Sequence, residues 1–247
     1  PTVRLSKIFR QALTSKIIEN CHRVNEGQMP DIRVKKDSDF FFIRAENKDD
    51  IPRLIEELVS KRLPNTYEVD PLDIQVLCPQ KTSDIGTVAL NKRLQAALND
   101  SKIFVQYGDT MFKIGDKVMQ TKNHEDVNNG DIGYITGVAN DGSDVSVQVD
   151  FGDSRTAEYE SSDLDMLDLA YASTIHKSQG SEYQSVIINL QCAHAVMLVR
   201  PLIYTAITRA KARVILVGER RALCIAIKRT DTEQRGTMLA ARIQELT

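Results

Sequence analysis

From Phe112 to Leu169 the sequence breaks the rhythm of the rest of the chain, and that break constrains the fold more than any other feature. Turn signals recur there every few residues: Ile114-Gly115-Asp116, Asn128-Asn129-Gly130-Asp131, Asn140-Asp141-Gly142 and Phe151-Gly152-Asp153. Tight turns need glycine for positive φ, and Asn or Asp for local bonds between side chain and backbone. Between the turns, Val145, Val147 and Val149 alternate with Ser146, Gln148 and Asp150, the period of a strand with one buried face. Many short strands in so small a stretch predict a β-barrel or sandwich, of a size at which independent stability is marginal. Such a unit is expected to lean on a larger domain.

The flanks supply that domain. Lys7–His22 reads as a helix, with Ile8, Ala12, Ile17, Ile18 and Cys21 on its apolar face. Phe40–Arg44 is a compact strand, and Asp49 or Asp50 can cap a helix over about Ile51–Lys61. Ile74–Cys78 is a buried strand stopped by Pro79, and Thr87–Asn99 is a further amphipathic helix. After the break come strand Ser185–Leu190, helix Val199–Thr208, strand Arg213–Gly218 and helical segments from Arg220. Strands separated by helices favour a parallel or mixed sheet with helices on its faces. The fold class expected is therefore α/β, divided as 1–111, an inserted barrel at 112–169, and a return to the parent sheet at 170–247.

Bulk properties mainly exclude. The apolar runs are far too short to cross a bilayer, and no basic segment followed by an apolar run marks a secretory leader. The first residue is Pro1, not Met, which fits a piece of a longer protein. The four cysteines show no C-x-x-C pairing and sit in or beside apolar runs, so buried, reduced thiols and a cytoplasmic setting are expected. No metal constellation is visible: His22, His124, His176 and His194 are scattered. A net charge of −2 gives no basic footprint for nucleic acid, but a narrow groove needs only a few cations and backbone donors.

The densest chemical signal is Tyr171-Ala172-Ser173-Thr174-Ile175-His176-Lys177-Ser178-Gln179-Gly180-Ser181-Glu182, just before an apolar strand. It places several hydrogen-bond donors and a fixed cation on one loop, and Gly180 permits positive φ or close backbone approach. That set suits phosphate oxygens, of a nucleotide or of a nucleic-acid backbone. Read from composition alone, it equally describes a polar surface loop.

Four segments in order narrow the choice. His-Lys-Ser-Gln-Gly-Ser-Glu (His176–Glu182) resembles motif V of superfamily 1 helicases, and its Ser181-Glu182 ending resembles the RecD-like branch. Leu202–Lys211, with Thr208-Arg209-Ala210-Lys211 at its end, is similar to motif VI. Leu5-Ser6-Lys7-Ile8-Phe9-Arg10-Gln11 resembles motif IV, and Phe112–Gly133 resembles the entry to the family's SH3-like insert. The resemblance covers nearly the whole chain and implies a RecA-like motor domain carrying a small SH3-like barrel. It implies ATP and Mg²⁺ as cofactors, single-stranded DNA as partner, and 5′ to 3′ movement by the intact protein.

By the same resemblance, Arg209 is the expected arginine finger and Arg10 a second cation at the γ-phosphate, with Gln11 beside it. A planar guanidinium suits charge spread over phosphate oxygens, and such fingers are worth roughly 10³–10⁵ in rate. Glu182 would accept from ribose hydroxyls, with Gly180 keeping the loop tight. Thr174, His176 and Lys177 would hold phosphates of the strand. Read from the residues themselves, Thr121 and Asn123 either line its path or simply serve the turn chemistry of their segment. For Arg10 and Arg209 the plain alternatives are an exposed helix arginine and a cation at a helix C-terminus.

One half of such a motor has no counterpart in the chain. None of the twelve glycines is followed by Lys, so there is no G-x-x-x-x-G-K-[ST] phosphate loop, and no apolar strand ends in Asp-Glu. The chain is expected to follow a first motor domain that is its partner, and by itself to be inactive toward ATP. Some relatives act alone and others within a helicase–nuclease complex. Competing readings are a Pif1-like branch of the same superfamily, and a non-enzymatic module binding nucleic acid or protein through its barrel. Against base stacking by the barrel, Phe112, Tyr134, Phe151 and Tyr159 are dispersed. Asp163, Asp165 and Asp168 read as outer positions of a turn or strand, not as a nuclease centre.

Overall fold

The structure is a computed structural model describing residues 15–33, 38–45, 47–124, 126–140 and 145–230. The chain enters with helix α1 (Lys16–Asn25), whose Ser15 side chain accepts from Ile17 N at 3.1 Å as an N-cap. Strand β1 (Phe40–Arg44) follows, then α2 (Ile51–Glu57), a π-helical turn (Leu58–Arg62) and α3 (Leu63–Tyr67). Pro64 has no N–H for a regular helical bond, and the wider turn lies just ahead of it. Asp50 precedes α2 without a side-chain capping bond, so the expected cap is not made. Next come β2 (Ile74–Cys78) and α4 (Thr87–Leu98).

The break in rhythm then appears as antiparallel structure. A hairpin of β3 (Phe104–Tyr107) and β4 (Thr110–Lys113) leads into β5 (Lys117–Gln120), β6 (Ile132–Asn140), β7 (Val145–Asp150), β8 (Thr156–Glu160) and β9 (Leu167–Leu169). The last five form one sheet in the order β8-β7-β6-β5-β9. In β7, Val147 and Val149 are buried and Gln148 is exposed, as the alternation requires.

After β9 the chain rejoins the parent sheet with β10 (Ala172–Thr174) and β11 (Tyr183–Leu190), then α5 (Arg200–Ile207), β12 (Ala210–Gly218) and α6 (Arg220–Lys228). This sheet is parallel throughout, in the order β1-β12-β11-β2-β10. Its side chains alternate between two cores. Val186, Ile188, Val214 and Leu216 face the core that holds α1, α5 and α6. Ile187, Ile215 and Val217 face the other, which is continuous through α2 and α4 into the small antiparallel sheet. The insert thus shares its core with one face of the parallel sheet, as its marginal size demands.

Gly218 ends β12 at φ +141°, where a Cβ would fall 1.8 Å from the Leu190 carbonyl oxygen, so the strands can pack there only around glycine. Cys21 and Cys78 are buried free thiols, and burial pushes each up to about 12. Cys192 and Cys224 are only partly covered, which corrects the expectation of four buried thiols.

Candidate functional site

The loop between β10 and β11 has two ends with different surroundings. Strand register places Thr174 beside Cys78, at the carboxyl end of β2, and Tyr183 beside Ala210, at the amino end of β12. The loop therefore runs back along the sheet and offers donors at both ends. It is a series of tight turns: Lys177 N donates to Thr174 Oγ1 at 3.3 Å, Ser178 Oγ to Ile175 O at 2.8 Å, and Ser181 N to Ser178 O at 3.1 Å. Gly180 has φ +92° and nothing within 4 Å of a would-be Cβ, so it serves the turn's dihedral and not a close approach. His176 projects into solvent.

At the first end the loop forms one wall of a cleft of about 390 Å³ between the parallel sheet and the insert. Thr174 and Lys177 line it, with Lys81 from the loop after β2, Lys92 of α4, Lys113 of β4 and Asp168 of β9. Asn91 of α4 fastens this wall: its Nδ2 donates to Leu169 O (2.8 Å) and Ala172 O (2.9 Å), and its Oδ1 accepts from Ala172 N (2.7 Å). Both N–H groups of the amide and one lone pair of its oxygen are thus spent on the crossover from insert to parallel sheet. Lys177 Nζ and Lys81 Nζ both reach Asp168 Oδ2 at 2.9 Å. Partial burial works to raise the Asp168 pKa, but hydrogen bonds from the two lysines outweigh it and hold the carboxyl below its ordinary value.

At the second end the guanidinium of Arg209 is pinned by three acceptors: Thr205 O, Ser181 O and Thr208 Oγ1, each at 3.1 Å. The Tyr183 N–H donates to Arg209 O at 2.9 Å, so the loop and the α5–β12 turn are locked together. Glu182 is exposed next to them, and its Oε2 lies 3.4 Å from Lys211 Nζ. Fixed in this way, the guanidinium loses little rotamer freedom when it meets an anion.

The expected site residues thus divide. Thr174 and Lys177 line the cleft, while at the other end of the loop Arg209 bonds Ser181 O, Glu182 lies beside Lys211, and Gly180 sits in the turn just before them. Thr121 and Asn123 follow β5 and are not among the cleft's lining residues; Thr121 N donates to Met166 O at 2.7 Å, and Asn123 Oδ1 accepts from Asn129 N at 2.9 Å. Arg10 and Gln11 lie outside the described residues. Lys81 and Asp168 were not singled out from sequence as site residues. Asp168 takes the outer strand position expected of it, between two buried leucines of β9, and there it pairs with two lysines. Phe112, Phe151 and Tyr159 are buried in the insert, so they are not available for stacking.

Beneath the cleft the two units are joined by buried polar groups. Asp116, fully buried, accepts from Gln95 Nε2 (2.5 Å), Asn99 Nδ2 (2.7 Å), Lys113 N (2.7 Å) and Tyr171 OH (2.9 Å). Burial raises its pKa against the pull of those donors. Lys117, 3% exposed, donates to Leu72 O at 2.6 Å and lies 5.9 Å from the Tyr183 ring centroid. Burial lowers it to about 8. Among the described residues no group of His, Cys, Asp and Glu could hold a metal, and no helix is long and apolar enough to cross a membrane.

Residues 90–151 match the family described as the ATP-dependent RecD-like DNA helicase SH3 domain, and residues 169–217 the UvrD-like helicase C-terminal domain. The ATP-dependent RecD2 DNA helicase of Deinococcus radiodurans is 33% identical over 244 residues, covering 99% of this chain and 32% of that protein. The RecBCD enzyme subunit RecD of Haemophilus influenzae is 30% identical over 165 residues, covering 66% of this chain and 24% of its own length. The chain spans about a third or less of these relatives. Among solved structures, the Pif1 helicase of Candida albicans superposes with TM-score 0.52 at 15% identity, over 98% of this chain and 60% of that one, a likeness of fold.

Proposed function

Because the chain is homologous to the C-terminal region of RecD-like ATP-dependent helicases, a RecA-like domain with an SH3-like insert, we propose that it is the second motor domain of an ATP-dependent DNA helicase. The observation that carries the reading is the loop between β10 and β11, which reaches a lysine-lined cleft at one end and a pinned arginine at the other. One rigid segment can then link the occupancy of a nucleic-acid groove to that of a nucleotide site.

In this reading the cleft takes single-stranded DNA, with Thr174, His176 and Lys177 on its phosphates and Thr121 and Asn123 further along its path. Arg209 is the arginine finger, supported by Arg10, with Gln11 beside it, and Glu182 accepts from the ribose. ATP with Mg²⁺ would supply the energy of each step by bridging this domain to a first motor domain and releasing it on hydrolysis. The donor set fits only half of that site. Arg209 suits phosphate charge, but the chain has no Gly-Lys phosphate loop. The partner domain must bring the rest, so the chain alone should not turn over ATP. Single strands are read mainly through backbone charge, the mode for which the lysines of the cleft are suited. The reading also carries a cytoplasmic location, where the four cysteines stay reduced.

Fluorescence anisotropy with a labelled single strand, against duplex, tests the DNA half. Salt-sensitive binding that falls in the His176→Ala/Lys177→Ala variant is expected, and binding indifferent to both would remove the loop from the DNA path. In the full-length protein, Arg209→Ala should cost roughly 10³–10⁵ in ATP turnover. Turnover by the isolated chain, abolished by Arg209→Ala, would refute the division of the nucleotide site.

A further inference from the structure

Asp168 is the point at which the insert reaches into the cleft. Its carboxylate receives Lys177 Nζ at 2.9 Å on Oδ2, and Lys81 Nζ at 3.2 and 2.9 Å on Oδ1 and Oδ2. The two lysines belong to the loops that follow β2 and β10, strands paired directly with Cys78 beside Thr174. The parallel sheet therefore brings them together, and both converge on one small anion with two oxygens. A phosphodiester is also a small anion sharing one charge over two oxygens, and lysine meets it as a point charge. The three groups remain partly open: the side chains of Lys81, Lys177 and Asp168 are 51%, 33% and 36% exposed. Ion pairs this exposed are weak and readily exchanged.

We propose that Asp168 is a built-in stand-in for a backbone phosphate: it holds Lys81 and Lys177 in place while the cleft is empty and yields both to an entering single strand. Lys81 thereby becomes a phosphate-binding residue of the cleft, alongside Lys177. The last strand of the insert becomes a competitor that the nucleic acid displaces. The inference rests on the reading that this cleft carries a single strand.

The test is single-strand binding by the 247-residue chain and its variants across a range of salt. Asp168→Asn should bind about two- to tenfold tighter at low salt, the scale of two exposed ion pairs released from competition. Its salt dependence should steepen, by about 0.7 in log–log slope for each added phosphate contact. Adding Lys81→Gln should reverse that gain. Lys81→Gln alone should weaken binding and flatten the slope while leaving the melting temperature nearly unchanged. Weaker or unchanged binding by Asp168→Asn, beside a wild type that binds, sinks this inference alone. So does a Lys81→Gln variant that binds as the wild type does. A wild type with no salt-sensitive single-strand binding removes the underlying reading, and this inference with it.

Discussion

Two aspartates join the insert to the parallel sheet and its helices, and they do so by opposite physics. Asp116 is fully buried and meets only neutral donors, namely two amides, a phenol and a backbone N–H. Asp168 is partly exposed and meets two ammonium groups. A buried carboxylate that has lost its water depends on every one of its hydrogen bonds, and removing it strands each donor. An exposed carboxylate between lysines is screened and exchangeable, so its pairs contribute little to folding. The comparison separates a joint that holds the two units together from a contact that an incoming anion can replace.

The sharpest way to break that contrast is Asp116→Ala, which leaves the Gln95, Asn99 and Tyr171 side chains and the Lys113 N–H without their acceptor. A loss of roughly 3–5 kcal/mol in urea unfolding is expected. A cost under about 1 kcal/mol would mean that the joint is not made there.

Lys117 probes the same joint from the cationic side. Its folded pKa lies near 8 against an ordinary 10.5, so between those values the unfolded chain holds a proton that the folded chain has released. Stability contributed by Lys117 should therefore rise with pH across that window, by up to about 3 kcal/mol. The difference in unfolding free energy between wild type and Lys117→Met isolates the effect. It cancels the opposing contribution of Tyr171, whose phenol burial pushes upward. A difference flat from pH 8 to 10.5 would show Lys117 to be solvated.

The smallest effect distinguishes the two aspartates by sign. Asp168, held below its ordinary 3.8, contributes stability at neutral pH that fades as pH falls through and below that value. Asp116, raised above 3.8, favours folding at low pH and loses that contribution as pH rises past it. Asp168→Asn should cost under about 1 kcal/mol at pH 7 and nothing in strong acid. Wild-type-minus-variant curves that slope the same way for Asp168→Asn and Asp116→Asn would contradict the assignment.

Much of this was legible in the residues themselves. The alternation of Val145, Val147 and Val149, the Asx-Gly turns and the apolar run at Ser185–Leu190 are local patterns, and β7 and β11 follow them. The order of the helicase-like segments carried the resemblance to RecD-like helicases that the matched domains and relatives also show, because such strings are chemistry written in consecutive residues. Boundaries were less legible: β12 begins at Ala210 and not Arg213, because pairing with Tyr183 extends it. The helix expected over about Ile51–Lys61 runs on through the π turn and Pro64 to Tyr67.

The cleft was not legible at all. Lys81 and Asp168 lie 87 residues apart, and Gln95 and Asn99, in and just after α4, meet Asp116 in the turn before β5. No local period encodes such meetings. The sequence by itself determined which segments are strands, where the chain turns, and that one loop carries phosphate-seeking groups. Only the tertiary structure decided that this loop runs from a lysine-lined cleft to a pinned arginine, and that an aspartate of the insert stands between two lysines. The reason is physical: propensity and periodicity act over a few residues, whereas parallel pairing of β2 with β10 and docking of the insert on the sheet set the distances between groups remote in the chain.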